Sequence, residues 1–302
     1  MQSKDTSEKL LTNVNEVFAD IFNALCCDGK KVIDETKLSN AQTTNAYIYK
    51  KETRNIDSDV SKLYNEANLT IAMLNIENQS HPDKDMPLRI FGYEGAKYNS
   101  QIISRKKERY PIITLVLNFD TEKRWNTPLK LKECLNNKLP KELDSYINDF
   151  KINVIDVAFM SKEKIDKLNS DFKVIADYFY QLKNIGDYKY PSKTELKYPT
   201  YTMYTMAAIT NDMRFNTAYN EFEEENKGEV ITMESYLDRI IAKGKAVGMI
   251  EGETKGKFDT LTDNIKALIS KNFTFDQSCD LLDVDEETRN RLIDTGEFIQ
   301  NN

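Results

Sequence analysis

The sequence feature that most constrains the fold is an apolar run over residues 69–76 that ends in Glu77, Asn78 and Gln79. A near-continuous apolar run of this length, bounded by polar residues, is typical of a strand buried on both faces of a sheet. Residues 110–119 form a second such run and are the clearest strand in the chain. These two segments predict the central strands of a sheet that is buried on both faces.

The segments around these two runs give the order of elements. Apolar residues at helical spacing predict a first helix over residues 14–25 and another over residues 88–103. The other predicted strands cover residues 45–50, 56–64 and 153–159, and the other predicted helices cover residues 126–149, 161–186 and 201–225. The order as far as residue 119 is therefore αβββαβ, and helices follow the last strand.

Composition excludes several classes of function. The chain has 302 residues, a formal net charge of −7 and an isoelectric point near 5.1, which argues against a polybasic protein held to nucleic acid by bulk charge. Its single histidine, His81, excludes zinc sites with several histidines. The four cysteines show no C-x-x-C spacing, so we expect reduced thiols. No run of about 18 apolar residues occurs, so we expect a cytoplasmic protein with no membrane span.

Two carboxylates at predicted strand ends form the main candidate site. Asp59 stands before the buried strand and Glu77 ends it, and such a pair suits a hard divalent cation such as Mg²⁺. Without an ion, two close carboxylates repel each other, and one of them resists ionisation. The backbone carbonyl of Asn78 is a candidate third ligand, and the Gln79 amide could orient an attacking water. The alternative is that these acids are ordinary surface residues at strand ends.

The order of elements and several motifs resemble the PD-(D/E)XK nuclease superfamily, and more closely the Rpn family of recombination-promoting nucleases and transposases. The resemblance covers residues 14–130 approximately. The matching stretches are residues 17–23, 28–30, 59–64, 75–80, 86–98 and 109–117. The resemblance implies an α/β core with a mixed central sheet flanked by helices, and an α-helical C-terminal region.

The same resemblance implies a metal-dependent DNA endonuclease with Asp59 and Glu77 as ligands of Mg²⁺, Mn²⁺ or Ca²⁺. Gln79 stands where the superfamily often has lysine, so the metal would supply more of the positive charge at the phosphate. Asp20 matches the acidic position that the family has in its first helix. From spacing alone, Asp20 and Glu16 lie on one flank of that helix, where a solvated surface is the alternative.

Basic residues near the predicted strands are candidates for DNA contact. Arg89 lies in the helix that follows the strand ending in Glu77, and such a helix often faces phosphate. The densest basic run is Arg105, Lys106 and Lys107, which could follow the phosphate backbone. A solvated connection before the next strand is the alternative for this run.

Four glycines spaced four residues apart mark the C-terminal region: Gly244, Gly248, Gly252 and Gly256. Glycines at this spacing share a helix face and let another backbone approach closely, so we expect a homodimer through the C-terminal helices. A flexible helical linker is the alternative. We expect a nuclease domain over residues 10–160, a helical extension over 161–242, and a third segment over 243–302 that ends in a small helical hairpin.

Other functions compete with the nuclease. A catalytically inactive DNA- or protein-binding module of a mobile element would keep the same fold, and Gln79 and the acidic charge favour it. An RNase H-like transposase would need a different strand order and wider spacing of its acids. A scaffold built from the helical half of the chain is the remaining alternative.

Overall fold

The computed structural model describes residues 7, 9–41, 43–49, 52–57, 59–104, 108–136, 140–210, 212–216, 230–295 and 297–298. Within those ranges no helix is long and apolar enough to cross a membrane. The chain forms two compact units, Met1–Leu237 and Asp238–Asn302. The candidate site belongs to the first unit.

The first unit is built on a mixed five-stranded sheet. The strands in chain order are β1 (Leu38–Asn40), β2 (Thr44–Tyr49), β3 (Glu52–Asp57), β4 (Val60–Glu66), β5 (Leu69–Gln79), β6 (Ile112–Asn118) and β7 (Asn153–Asp156). The sheet has the order β1-β4-β5-β6-β7, and β2 and β3 form a separate antiparallel hairpin. β1, β4 and β5 pair antiparallel, whereas β5, β6 and β7 pair parallel.

Helices connect and cover these strands. The helices in chain order are α1 (Asn15–Cys26), α2 (Met86–Ile103), α3 (Lys141–Asp144), α4 (Lys162–Asp166), α5 (Phe172–Ile185), α6 (Pro199–Thr210), α7 (Met213–Asn216), α8 (Met233–Ile269), α9 (Phe275–Leu281) and α10 (Glu286–Asp294). Parallel strands need a crossover connection, and α2 provides the one between β5 and β6. The predicted α/β class and the mixed sheet with flanking helices are confirmed.

The core lies on both faces of the central strands. Ile76 of β5 and Leu117 of β6 are completely buried. Helix α5 reaches the end of β6, where the Phe179 ring lies 5.0 Å from the ring of Phe119. Helix α2 packs on the sheet through a buried cluster of Met86, Ile90, Val116 and Ile152, with Trp125 against it. Burial on both faces explains why these strands are apolar almost throughout.

Two short strands differ from the sequence prediction. The strand predicted over residues 56–64 is two strands, because the chain leaves the β2–β3 hairpin and turns at Asp59 to enter the sheet as β4. Strand β1 was not predicted, because two of its three residues are polar. It is fixed by tertiary pairing, with Leu38 opposite Tyr64.

The helix predicted over residues 201–225 is found as α6 and α7, and residues 217–225 of that prediction lie outside the described residues.

Two further predicted helices are wrong in extent. Residues 126–149 contain the short helix α3 and a 3-10 turn at Leu131–Cys134, because the chain around Lys130 instead pairs antiparallel with Lys151. The long helix predicted over residues 161–186 is divided into α4 and α5. The break lies at Asn169 and Ser170, whose backbone N–H groups both donate to one carboxylate oxygen of Asp20.

The second unit has a small core of its own. The segment for which the sequence predicts a helical hairpin, residues 272–299, contains the short helices α9 and α10. Thr274 caps α9 in a reciprocal arrangement, because its hydroxyl accepts from the Gln277 N–H and the Gln277 side chain accepts from the Thr274 N–H. The buried apolar cluster of this unit consists of Ile265, Phe275, Cys279, Val284 and Leu292.

The central strand β6 gives a test of the core. Leu117→Ala should lower the free energy of unfolding by about 3 kcal/mol, because it removes a completely buried side chain. Ile113→Ala on the same strand is the control, since Ile113 is 42% exposed and should lose less than about 1 kcal/mol. Urea unfolding followed by fluorescence of Trp125, the single tryptophan, reports on this unit. Equal losses in the two variants would contradict the assigned core.

Candidate active site

Asp59 and Glu77 lie side by side where β4 begins and β5 ends. The antiparallel register places Val60 opposite Ile76, so the residues that flank this pair are also neighbours. The Asp59 N–H donates to Glu77 Oε1 at 3.2 Å. In return, Asp59 Oδ2 accepts from the Asn78 N–H at 2.7 Å. Each carboxylate is therefore held by a backbone group of the strand that carries the other.

Glu77 is an acid in an unfavourable place for a charge. Its side chain is 2% exposed. Burial raises the pKa of Glu77 to about 8, and the charge of the adjacent Asp59 adds to the effect. Two cations oppose this rise, because the charges of Lys97 and Arg89 both favour ionised Glu77. The pair is therefore a place where a bound cation would relieve electrostatic repulsion.

A polar network lies beside Glu77 on the same face of the sheet. Lys97 of α2 is 4% exposed, and its ammonium donates to Asn75 Oδ1 at 2.6 Å and to Ser61 Oγ at 2.8 Å. Asn75 and Glu77 share a strand face because they are two residues apart. Burial lowers the pKa of Lys97 to about 8, and the charges of Glu77 and Glu94 oppose this shift.

Glu94 completes this network on the side of β6. Its carboxylate accepts from the Thr114 hydroxyl at 2.7 Å, and Thr114 in turn accepts from the Asn75 amide at 3.1 Å. Sequence reasoning missed Lys97 and Glu94. A signal existed, because Glu94, Lys97 and Gln101 recur at helical spacing and Asn75 and Thr114 interrupt apolar strands at the matching places.

Three further side chains, those of Lys9, Arg89 and Tyr93, interact electrostatically with the pair. Lys9 Nζ lies 3.2 Å from Asp59 Oδ1, and this side chain also was not predicted. Arg89 donates to Asp83 at 2.8 Å and to the Tyr93 hydroxyl at 3.1 Å. Burial raises the pKa of Tyr93, and the charges of Glu77 and Asp59 act in the same direction. The acids thus face several groups that donate hydrogen bonds.

The structure also places the remaining predicted residues. Gln79 shares a strand face with Glu77, and its backbone carbonyl accepts from the Phe119 N–H at 2.8 Å. His81 is exposed and its ring lies 3.1 Å from the Asp120 carboxylate. The basic run of residues 105–107 lies outside the described residues.

Asp20 has contacts of a different kind. Its carboxylate accepts from the backbone N–H groups of Asn169 and Ser170, at 2.9 and 2.8 Å. The cleft that it lines also contains Glu16 and Lys167. In the part of the chain that the structure describes, no group of three or more His, Cys, Asp or Glu side chains is arranged to hold a metal ion. The structure therefore does not bring Asp20 together with Asp59 and Glu77.

The chemistry of the pair fits a hard divalent cation. The candidate donors are carboxylate oxygens of Asp59 and Glu77 and the backbone carbonyl of Asn78, and Mg²⁺ prefers such oxygen ligands. Mg²⁺ commonly takes one or two carboxylates and completes its shell with water and substrate phosphate. The structural observation that favours such a group here is the burial of Glu77, which is 2% exposed, directly beside the second acid, Asp59.

The raised pKa of Glu77 predicts a pH-dependent stability. In metal-free buffer, Glu77→Gln should melt several degrees above the parent at pH 8 and close to it at pH 4.5. The unfolded chain ionises Glu77 near pH 4.5 and the folded chain near pH 8, so the parent loses stability as pH rises through that window. Glutamine cannot ionise, so the variant does not lose this stability.

Glu122→Gln, at an exposed position, is the control for that experiment. The melting temperature of this control should equal that of the parent at every pH. Calorimetry from pH 4.5 to pH 8 measures both variants. A difference between Glu77→Gln and the parent that does not grow with pH would show that Glu77 is not an acid of raised pKa.

Comparison with known proteins places the chain in a family. No curated protein and no solved structure matches it. A family model described as "Putative transposase, YhgA-like" matches residues 9–185, which include every residue of the site described above. Because the match covers more than half of the chain, the protein belongs to the family of YhgA-like transposases, the Rpn family.

Proposed function

We propose that the protein is a metal-dependent DNA endonuclease that hydrolyses phosphodiester bonds, and that residues 10–160 form a PD-(D/E)XK-like nuclease core. The observation that carries this proposal is the Asp59–Glu77 pair, interlocked by backbone hydrogen bonds at adjacent strand ends. Membership of the transposase family supports a role associated with transposition, in which DNA strands are cut. The site would act on cytoplasmic DNA.

Each residue of the site has a proposed role. Asp59, Glu77 and the Asn78 carbonyl would hold Mg²⁺, with Mn²⁺ or Ca²⁺ as substitutes. When bound, the cation would lower the pKa of water and offset charge on the phosphodiester. Gln79 would orient the attacking water through its amide. Arg89, at the exposed side of the pair, would bind the phosphate backbone and keep the scissile bond in place.

The charge distribution limits where DNA can bind. With a formal net charge of −7, the protein can attract DNA only through local basic residues. The C-terminal hairpin does not offer them, because residues 270–298 contain eight acidic and three basic side chains. We therefore favour the surroundings of the Asp59–Glu77 pair, where Lys9 and Arg89 supply positive charge, as the DNA-binding surface, and the basic run of Arg105, Lys106 and Lys107 is a further candidate.

The nuclease proposal predicts loss of cleavage without loss of fold. Asp59→Ala and Glu77→Ala should each abolish nicking of supercoiled plasmid in Mg²⁺ or Mn²⁺, because each removes a ligand of the cation. EDTA should abolish nicking by the parent. Glu66→Ala is the matched control, since Glu66 is an exposed acid at the far end of β4 and should cut like the parent.

Circular dichroism and melting curves check that the variants are folded. If Asp59→Ala or Glu77→Ala has a melting profile like the parent's and cuts at the parent's rate, the site assignment is wrong. If the folded parent binds DNA without a divalent cation and never nicks it with any metal, the protein is the inactive binding module instead. In that case Gln79 would be the first residue to examine.

We further propose that a second copy of the chain pairs along α8. A methyl group added at any of Gly244, Gly248, Gly252 or Gly256 would meet no atom of the described chain within 4 Å, so this stripe is open to a close neighbour. An exposed apolar side chain lies on nearly the same face, because Ile241, which is 49% exposed, stands seven residues before Gly248. Close backbone approach at small residues would bury part of this surface.

Gly248→Leu should shift the protein from dimer to monomer in light scattering at tens of micromolar. The bulky side chain prevents close approach, whereas leucine itself favours the helix. Thr254→Leu is the control, because residue 254 lies about 200° around the helix from Gly252. A parent that is monomeric at this concentration would rule out the pairing.

A further inference from the structure

The N-terminal segment brings a lysine to the candidate site. Lys9 Nζ lies 3.2 Å from Asp59 Oδ1, while Asp59 Oδ2 accepts from the Asn78 N–H. Lys9 is 50 residues away from Asp59 in the sequence, so this contact depends on tertiary structure. Its side chain is 21% exposed, and it is therefore accessible from solvent.

Hydrogen bonds from two sides of the first unit fix the position of this segment. Leu11 is completely buried, and its N–H donates to the Thr205 hydroxyl of α6 at 3.2 Å. The same hydroxyl donates to the Ser7 carbonyl at 3.2 Å. Buried Lys62 of β4 donates to the Asn13 carbonyl at 2.7 Å. The backbone on both sides of Lys9 is held, so its place beside Asp59 is a feature of the fold.

In the part of the chain that the structure describes, two other cations lie near the pair, and their direct contacts are with other groups. Lys97 is almost completely buried, and its ammonium donates to Ser61 and Asn75. Arg89 donates to Asp83 and to Tyr93. Gln79, on the strand face of Glu77, carries no charge. Among the described residues, Lys9 is the cation for which both direct contact with Asp59 and exposure to solvent are observed.

We infer that Lys9 is a further catalytic residue, whose ammonium contacts the scissile phosphate beside Asp59 and supplies positive charge that Gln79 cannot. This inference rests on the proposed nuclease function. In the hydrolysis, a water oxygen bonds to phosphorus as the bond from phosphorus to the leaving sugar oxygen breaks. The water gives up one proton and the leaving oxygen gains one. Lys9 stays protonated throughout and stabilises the charge that develops on the phosphate oxygens.

The first test compares nicking rates at saturating Mn²⁺. Lys9→Gln should cut supercoiled plasmid about 100-fold more slowly than the parent, as expected when one donor to the developing charge is removed. Lys9→Arg keeps the charge and should recover most of the rate. Lys37→Gln is the matched control, because Lys37 also pairs with a carboxylate, Glu66, at 2.8 Å on the surface, and it should cut like the parent.

A second readout separates catalysis from a structural role. Mn²⁺ binding to the protein alone, followed by electron paramagnetic resonance, should be at least as tight in Lys9→Gln as in the parent, because a cation beside Asp59 has been removed. Slow cutting with weaker Mn²⁺ binding and a lower melting temperature would overturn the inference, since Lys9 would then hold the site in shape. Lys9→Gln that cuts at the parent's rate would also overturn it and leave the nuclease proposal intact. A parent that never cuts would overturn both.

Discussion

The repulsion between two adjacent carboxylates is the constraint on which the rest of the site depends. Asp59 and Glu77 lie on neighbouring strands, and each is fixed by a backbone N–H from the other's strand. Neither carboxylate can rotate away from the other without breaking its hydrogen bond to a backbone N–H. The fold therefore holds two acids together at an electrostatic cost, and a divalent cation is the simplest group that would remove that cost.

The neighbourhood of the pair compensates its charge in two ways. Beside the acids, Lys97 is buried in a network with Ser61, Asn75, Thr114 and Glu94, and these polar groups satisfy one another with hydrogen bonds. On the exposed side, Lys9 pairs with Asp59 directly. Lys97 is 4% exposed, whereas the Lys9 side chain is 21% exposed and accessible to a substrate. This difference is why we propose a catalytic role for Lys9 and none for Lys97.

The sequence was most informative where the pattern is local. Apolar runs predicted β5 and β6. The 18-residue spacing from Asp59 to Glu77, at predicted strand ends, indicated these two acids as candidate metal ligands. Lys9 and Lys97 were missed, because they reach the site from segments 50 and 20 residues away from the nearer acid. The helix predicted over residues 126–149 failed because tertiary pairing of Lys130 with Lys151 overrides local propensity. Asp20 fitted a family pattern, but its carboxylate holds the turn before α5.

The position of a bound metal ion tests the central claim most directly. Crystals of the protein grown with Mn²⁺ would show the ion by its anomalous scattering. We predict one strong peak in contact with carboxylate oxygens of both Asp59 and Glu77. Full occupancy of Mn²⁺ at another place, or no peak between these two carboxylates at saturating Mn²⁺, would contradict the assignment of this pair as a metal centre.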